Sequence, residues 1–373
     1  MLDGDEPPAL SRRTRAGIVR GVAAVAGFLA MAGLLRMALP EPIVSLIDAK
    51  RRVFETANPA FDTLFLGTSH LYRGVDPALF DDTMAGAGQP TRAFNHAVPG
   101  LRAVELRHLL VRLLRADEPR ALRWVILDVA PIGWDIEADN LSRDRTVRWH
   151  DARALAFMLR WHLGYVDIPV EERLERGLPH LLPFLIRQTN LGLGAVAFQQ
   201  SLGPERDAME RFEKRLGPHH DGFRSLDDDL SQREGEKLEL LEDRQRELRL
   251  AAPEWPKRLK AQTAKLRETS EAIDVHGIGL LSELQRRVRA HGAEPIFIAP
   301  PEWDAHRNLR DAASRGAIDT FWAFDDPADV PELFEPSHRF DLGHLNERGV
   351  VRFTERLADA LVGHIESTAT STR

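Results

Sequence analysis

Three short apolar runs constrain this chain more than any other feature: Leu64-Phe65-Leu66, Trp124-Val125-Ile126-Leu127 and Pro295-Ile296-Phe297-Ile298-Ala299. None alternates apolar with polar residues, so each predicts a strand buried on both faces. Between and around them lie stretches with helical spacing. Residues 103–114 carry Val104, Leu106, Leu109, Leu110, Leu113 and Leu114 on one face. Strands are expected at 63–66, 92–95, 124–129, 295–299 and 320–324, with further helices at 280–291 and 347–364. Buried strands alternating with helices predict a parallel sheet covered on both sides. Such sheets bind ligands outside the carboxyl ends of their strands.

The alternation lapses after residue 140. Residues 151–202 read as helical, with the apolar patch Leu181-Leu182-Pro183-Phe184-Leu185-Ile186. Residues 231–271 are densely charged, and Leu259, Leu266, Ile273 and Leu280 recur every seventh position. One reading is a solvated helical arm packed by one edge, the other a coiled coil that binds a partner. Pro253 and Pro256 should break the helix before that stripe begins.

The N-terminus carries a separate signal. Arg12, Arg13, Arg15 and Arg20 precede an apolar run over residues 21–35, followed by Arg36 and Pro40. Counted from 18 to 39, with the flanking arginines snorkelling, the segment is long enough to cross a bilayer. Basic residues ahead of it predict an N-terminus inside and the remaining chain outside the cytoplasmic membrane. Two alternatives stay open: a signal peptide cleaved near Ala30-Met31-Ala32, and a buried helix of a soluble protein.

Composition narrows the chemistry. The 373 residues have a net charge of −7, which argues against a nucleic-acid partner. There are no cysteines, so thiol catalysis and thiolate-bound metal are excluded. His219-His220, with His150 or His162, lacks matched carboxylates, so no metal and no cofactor are expected. Arg73, Arg145 and Arg148 are read as surface arginines, with anionic-substrate binding as the alternative.

Two motifs carry reactive groups. Gly67-Thr68-Ser69-His70 follows the first apolar run, which places Ser69 on the turn leaving a buried strand. Asp341-Leu342-Gly343-His344 holds a carboxylate and an imidazole on one loop. Ser69 as nucleophile, His344 as base and Asp341 as its orienter form an acyl-transfer set. Each also has a plain structural reading: Ser69 as a helix N-cap, Asp341 or Asn346 as a cap for the last helix. Gly100 is the candidate backbone donor to an oxyanion, or a turn glycine after Pro99. Asn95 either adds a side-chain donor or satisfies that turn.

In these motifs the chain resembles the SGNH (GDSL-type) hydrolase superfamily, over roughly residues 60–135 and 275–365. Gly67-Thr68-Ser69 stands where that family has Gly-Asp-Ser. Phe94-Asn95-His96-Ala97-Val98-Pro99-Gly100 matches its second block, and Asp341-Leu342-Gly343-His344-Leu345-Asn346 its last. The family's third block carries an oxyanion asparagine, whereas this chain reads Leu127-Asp128-Val129-Ala130-Pro131. The resemblance implies an α/β fold, a doubly wound flavodoxin-like three-layer αβα domain. It also implies a serine esterase or O-acyltransferase whose substrate is an acyl ester, with a cell-envelope glycan or lipid as candidate carrier. The alternative is an inactive scaffold of an envelope complex, with a protein partner at the helical insertion.

The expected organisation is a cytoplasmic segment 1–17, a transmembrane anchor 18–39 and a connector 40–60. The first part of the catalytic domain follows at 61–140, a helical insertion at 141–274, the second part at 275–365 and a disordered tail at 366–373. The expected location is the inner membrane, single-pass, with the catalytic domain in the periplasm.

Overall fold

The apolar runs become the middle of one five-stranded sheet. The computed structural model describes residues 12–39, 41–57, 60–114, 122–129, 143–165, 168–189, 193–203, 205–232, 234–268, 275–303 and 306–371. Expectations for Pro40, Ala130, Pro131, Ile273 and the first eleven residues lie outside that set. The strands are β1 (Thr63–Leu66), β2 (Ala93–Asn95), β3 (Trp124–Leu127), β4 (Glu294–Ala299) and β5 (Phe321–Ala323). All neighbours pair in parallel, in the order β2-β1-β3-β4-β5. Every residue of β1 and β3 is buried, as strands covered on both faces require. At the edge, β5 is only half-buried.

The order of the strands decides where a ligand would sit. From β1 the chain moves outward to β2, then crosses back past β1 to β3. In parallel sheets ligands bind at the carboxyl ends of the strands where the order reverses, here β1 and β3. Ser69 leaves β1 there, and Asp128 leaves β3.

The final helix, Glu347–Ser371, packs against the Pro77–Gly86 helix and buries Phe353, Leu357 and Leu361, spaced four apart. It continues past residue 364, so the expected disordered tail is helical to Ser371. The hydroxyls of Ser367 and Thr368 fold back onto the His364 carbonyl at 2.8 Å each, and Thr370 onto Glu366 at 2.9 Å.

Two compact units divide the chain: Met1–Ile43 with Ile136–Ala208, and Val44–Asp135 with Met209–Arg373. This redraws two expected boundaries. The connector is part of the sheet unit, because its Leu46–Thr56 helix buries Ala49, Lys50 and Phe54. A capping box starts this helix, with Asp48 accepting from the Ser45 amide at 3.0 Å. Lys50 donates to the carbonyls of Asn95 at 2.9 Å and Ala97 at 2.6 Å, and lies 4.1 Å above the Tyr72 ring. Its charge made the segment look solvated in sequence.

The expected insertion is likewise not one body. Its first half belongs with the N-terminal helix, and its second half with the sheet. In the second half, the Glu236–Ala251 and Trp255–Arg267 helices are separated by a 3₁₀ turn at Ala252–Glu254, where the prolines predicted a break.

In the smaller unit, Arg12–Ala38 is one helix, long and apolar enough to cross a membrane. Val22, Val25, Phe28 and Leu29 are exposed on it. Arg148 is buried and donates to the Pro42 carbonyl at 2.7 Å, so it ties the fold together. His150 and His180 share a hydrogen bond of 2.8 Å. Among the described residues, no group of three or more His, Asp or Glu side chains could hold a metal ion.

Candidate active site

The turn that carries Ser69 is built around a close approach of two strand ends. A Cβ on Gly67 would lie 2.5 Å from the Asp128 Cβ and 2.9 Å from its carbonyl oxygen, so only glycine fits. Asp128 Oδ2 accepts from the Thr68 amide at 2.9 Å and the Thr68 hydroxyl at 2.5 Å. Thr68 in turn caps the Ser69–Gly74 helix, its Oγ1 accepting from the His70 amide at 3.2 Å. The capping task thus falls to Thr68, and the Ser69 hydroxyl is left for other chemistry. Gly67→Ala should destabilise the sheet unit by about 1–3 kcal/mol through this overpacking, read as a lower denaturant midpoint.

The second motif brings an imidazole to Ser69. Asp341 Oδ1 accepts from the backbone amides of Gly343 and His344, each at 2.7 Å, which locks its carboxylate against the loop. His344 Nδ1 lies 3.1 Å from that oxygen, and His344 Nε2 lies 2.9 Å from Ser69 Oγ. The three side chains form a continuous chain of hydrogen bonds across 275 residues of sequence. Asn346 takes the plain role, accepting from the Gly349 amide at 3.1 Å at the start of the last helix. The cap of the last helix is thus Asn346 and not Asp341.

A further cation reaches the same carboxylate. Arg244, on the charged Glu236–Ala251 helix, forms an ion pair with Asp341 Oδ2 and has Nη2 3.0 Å from His344 Nδ1. Arginine only donates, so a proton on Nδ1 directed to Asp341 leaves the guanidinium bonded to the carboxylate rather than the ring. That tautomer leaves Nε2 free to accept from Ser69. Burial pushes the Asp341 carboxyl up, but the hydrogen bond and charge of His344, with Arg244, outweigh it and hold the group at about 2.

Behind His344 lies a buried polar layer. The His70 ring stacks on His344 with centroids 5.2 Å apart and planes 17° apart. Burial pushes His70 down to about 4, even with Glu302 3.1 Å from its Nε2, so it is neutral near pH 7. Glu302 also meets His306 Nε2 at 2.8 Å, and Asp325 and Asp128 lie 3.8 and 4.0 Å from the His306 ring. Burial opposes charge on His306, but Asp325 and Glu302 outweigh it and lift its pKa to about 10. Asp128 moves the other way: burial raises it to about 6 despite the nearby His306 charge.

This layer yields a pH-dependent prediction. Removing one member of a buried ion pair costs about 3–5 kcal/mol, so His306→Gln should lose about that much stability. Folding raises the His306 pKa from 6.5 to about 10, so its contribution is complete below pH 6.5 and is lost as pH rises through 10. The stability difference between wild type and His306→Gln, from urea midpoints, should therefore shrink over that range.

The oxyanion candidates separate. Gly100 has φ +63°, a left-handed conformation suited to glycine. The Val98 amide donates to the Gly67 carbonyl at 3.0 Å, so the segment leading to Gly100 runs beside the turn that carries Ser69. Ser69 opens a helix, where backbone amides lack intrahelical partners. Asn95 does not join them. Its Nδ2 donates to the carbonyls of Leu71 at 2.8 Å and Val75 at 2.9 Å, and its Oδ1 accepts from the Ala97 amide at 3.1 Å. Of the two readings offered for it, the turn-satisfying one holds. Arg73 is also structural, bonded to the carbonyls of Arg224 and Ser225 at 3.0 Å each and to Asp229 at 2.6 Å.

Sequence reasoning missed His70, Arg244, Glu302, His306 and Asp325. A signal existed for two of them: Glu302 and Asp325 are carboxylates just beyond β4 and β5, on the ligand-binding edge of the sheet. Arg244 had none, because one arginine among many on a charged helix is indistinguishable from a solvated one. No protein-family model matches this chain, and no curated protein matches it.

Proposed function

We propose that the chain is an SGNH-like serine esterase or O-acyltransferase, held at a membrane by its N-terminal helix and acting on an acyl ester of a cell-envelope glycan or lipid. The observation that carries this is the Ser69 Oγ to His344 Nε2 distance of 2.9 Å, with Asp341 on the far side of the ring. The strand order β2-β1-β3-β4-β5 supports a doubly wound, flavodoxin-like sheet, with Ser69 at its switch point.

In this reading Ser69 Oγ attacks the acyl carbonyl while His344 Nε2 takes its proton. The Asp341 carboxylate stabilises the imidazolium that forms. Neutral His70 stacks on that ring without adding a second positive charge. Backbone amides of Ser69 and Gly100 receive the oxyanion. The tetrahedral intermediate collapses, His344 returns the proton to the leaving alcohol, and an acyl-Ser69 remains. Water or an acceptor hydroxyl, deprotonated by His344, then releases the acyl group.

Two observations favour a second reading, a scaffold with a weak or idle site. The Asn95 amide is fully used within the fold, and Asp128, bound to Thr68, stands where the family has its oxyanion asparagine. Stopped-flow hydrolysis of p-nitrophenyl acetate separates the two. A burst of p-nitrophenol stoichiometric with protein and absent in Ser69→Ala supports the enzyme; no burst from folded protein supports the scaffold. Added polyol acceptors that divert acyl groups from water would identify a transferase.

A further inference from the structure

The smaller unit carries an apolar surface that its own packing does not cover. On the Leu181–Thr189 helix, Leu182 and Leu185 are 51% and 55% exposed; on the Leu193–Ser201 helix, Phe198 is 56% exposed. Both helices pack on the Arg12–Ala38 helix, where Ala32 is buried and Gly33 half-buried. Polar ties fix the level of contact: Arg36 donates to Gln188 at 3.1 Å, and Gln200 exchanges hydrogen bonds with the Ile43 backbone at 2.8 and 3.0 Å.

We infer that these two helices are seated in the bilayer leaflet at the C-terminal end of the Arg12–Ala38 helix, with acyl chains covering Leu182, Leu185 and Phe198. The inference rests on the reading that the Arg12–Ala38 helix spans the membrane. Ala32, the buried residue of that helix, lies inside its apolar run ahead of Arg36, so the packing that covers it is at hydrocarbon depth. Length sets the mode of insertion. Nine residues of helix rise about 13 Å, which matches half of a hydrocarbon core of about 30 Å and falls short of crossing it. The wider Val170–Ser201 segment is itself long and apolar enough to cross a membrane, and within it a 3₁₀ turn at Leu178–His180 parts the Val170–Gly177 helix from the Leu181–Thr189 helix. Ahead of that turn, the exposed charges Glu171, Glu175 and Arg176 suit the headgroup boundary.

Seating of this kind ties the 144–201 helices to the lipid surface independently of the anchor alone. The chain has no cysteines, so single-cysteine variants of the full-length protein carry one label each. Leu182→Cys, Leu185→Cys and Phe198→Cys would be spin-labelled in phosphatidylglycerol/phosphatidylethanolamine liposomes. Their accessibility to oxygen and to a water-soluble nickel chelate would be compared with Leu34→Cys on the anchor and Lys257→Cys on the water-exposed Trp255–Arg267 helix. The expected result is an oxygen-to-nickel ratio that rises from the Lys257→Cys level to the Leu34→Cys level at all three positions. Water-like ratios at these positions, with Leu34→Cys in lipid, overturn the inference and leave the anchor standing. Water-like ratios everywhere overturn both. Shielding from both reagents overturns it in favour of a protein partner.

Discussion

Ser69→Ala is expected to lower kcat for acyl-ester turnover by about 10⁴–10⁶-fold, since loss of the nucleophile in a triad removes nearly all of the chemistry. The fold should be indifferent. The Ser69 hydroxyl bonds His344, whereas the turn is held by Thr68, Asp128 and the space at Gly67. Circular dichroism and urea midpoints of the variant should overlay those of wild type. That combination, unchanged stability with lost turnover, distinguishes a catalytic hydroxyl from a capping one, because losing a cap costs about 1 kcal/mol.

The second large effect belongs to Asp341→Asn, for which a loss of about 10⁴ in kcat is expected with little change in KM. The carboxylate meets three demands: it accepts from the Gly343 and His344 amides, takes the proton side of His344 Nδ1, and faces Arg244. An amide cannot meet all of them. With its oxygen on the loop amides, its NH₂ faces the guanidinium. With its oxygen turned to Arg244, its NH₂ donates to Nδ1 and inverts the tautomer. Either way the imidazolium loses its counter-charge. Stability should also show the change in acid. Asp341 is held at about 2 against an ordinary 3.8, so its contribution is complete above 3.8 and lost as pH falls through 2. The stability gap between wild type and Asp341→Asn should close across that range. Arg244→Met, which leaves the carboxylate and tautomer in place, should cost less than Asp341→Asn.

Much of this site was legible because the strands were. Continuous apolar runs have one simple explanation, burial on both faces, and the strands appear at 63–66, 93–95, 124–127, 294–299 and 321–323. Once those strands are parallel, Ser69 and the Gly100 turn fall on one edge by geometry. The meeting of Ser69 with His344 follows from the last helix packing back on the Pro77–Gly86 helix, which its apolar spacing favours. Lys50, Asp128, His306 and Arg339 were not legible, because a buried charge looks in sequence like a surface one. Its burial depends on partners far along the chain: Lys50 on the Asn95 and Ala97 carbonyls, His306 on Glu302 and Asp325, Arg339 on the Pro301 carbonyl at 2.9 Å. The division of the 141–274 segment was hidden for the same reason. Helical periodicity reports that a face is apolar, not which element covers it.

Covalent labelling reads activation of the Ser69 hydroxyl by His344 without reference to any substrate. Purified full-length protein would be treated with a fluorophosphonate probe and the modified peptide identified by mass spectrometry. The expected result is a single phosphonylated residue, Ser69, with labelling abolished in Ser69→Ala and strongly slowed in His344→Ala. Folded wild-type protein that stays unlabelled, or labelling that persists in Ser69→Ala, would contradict it.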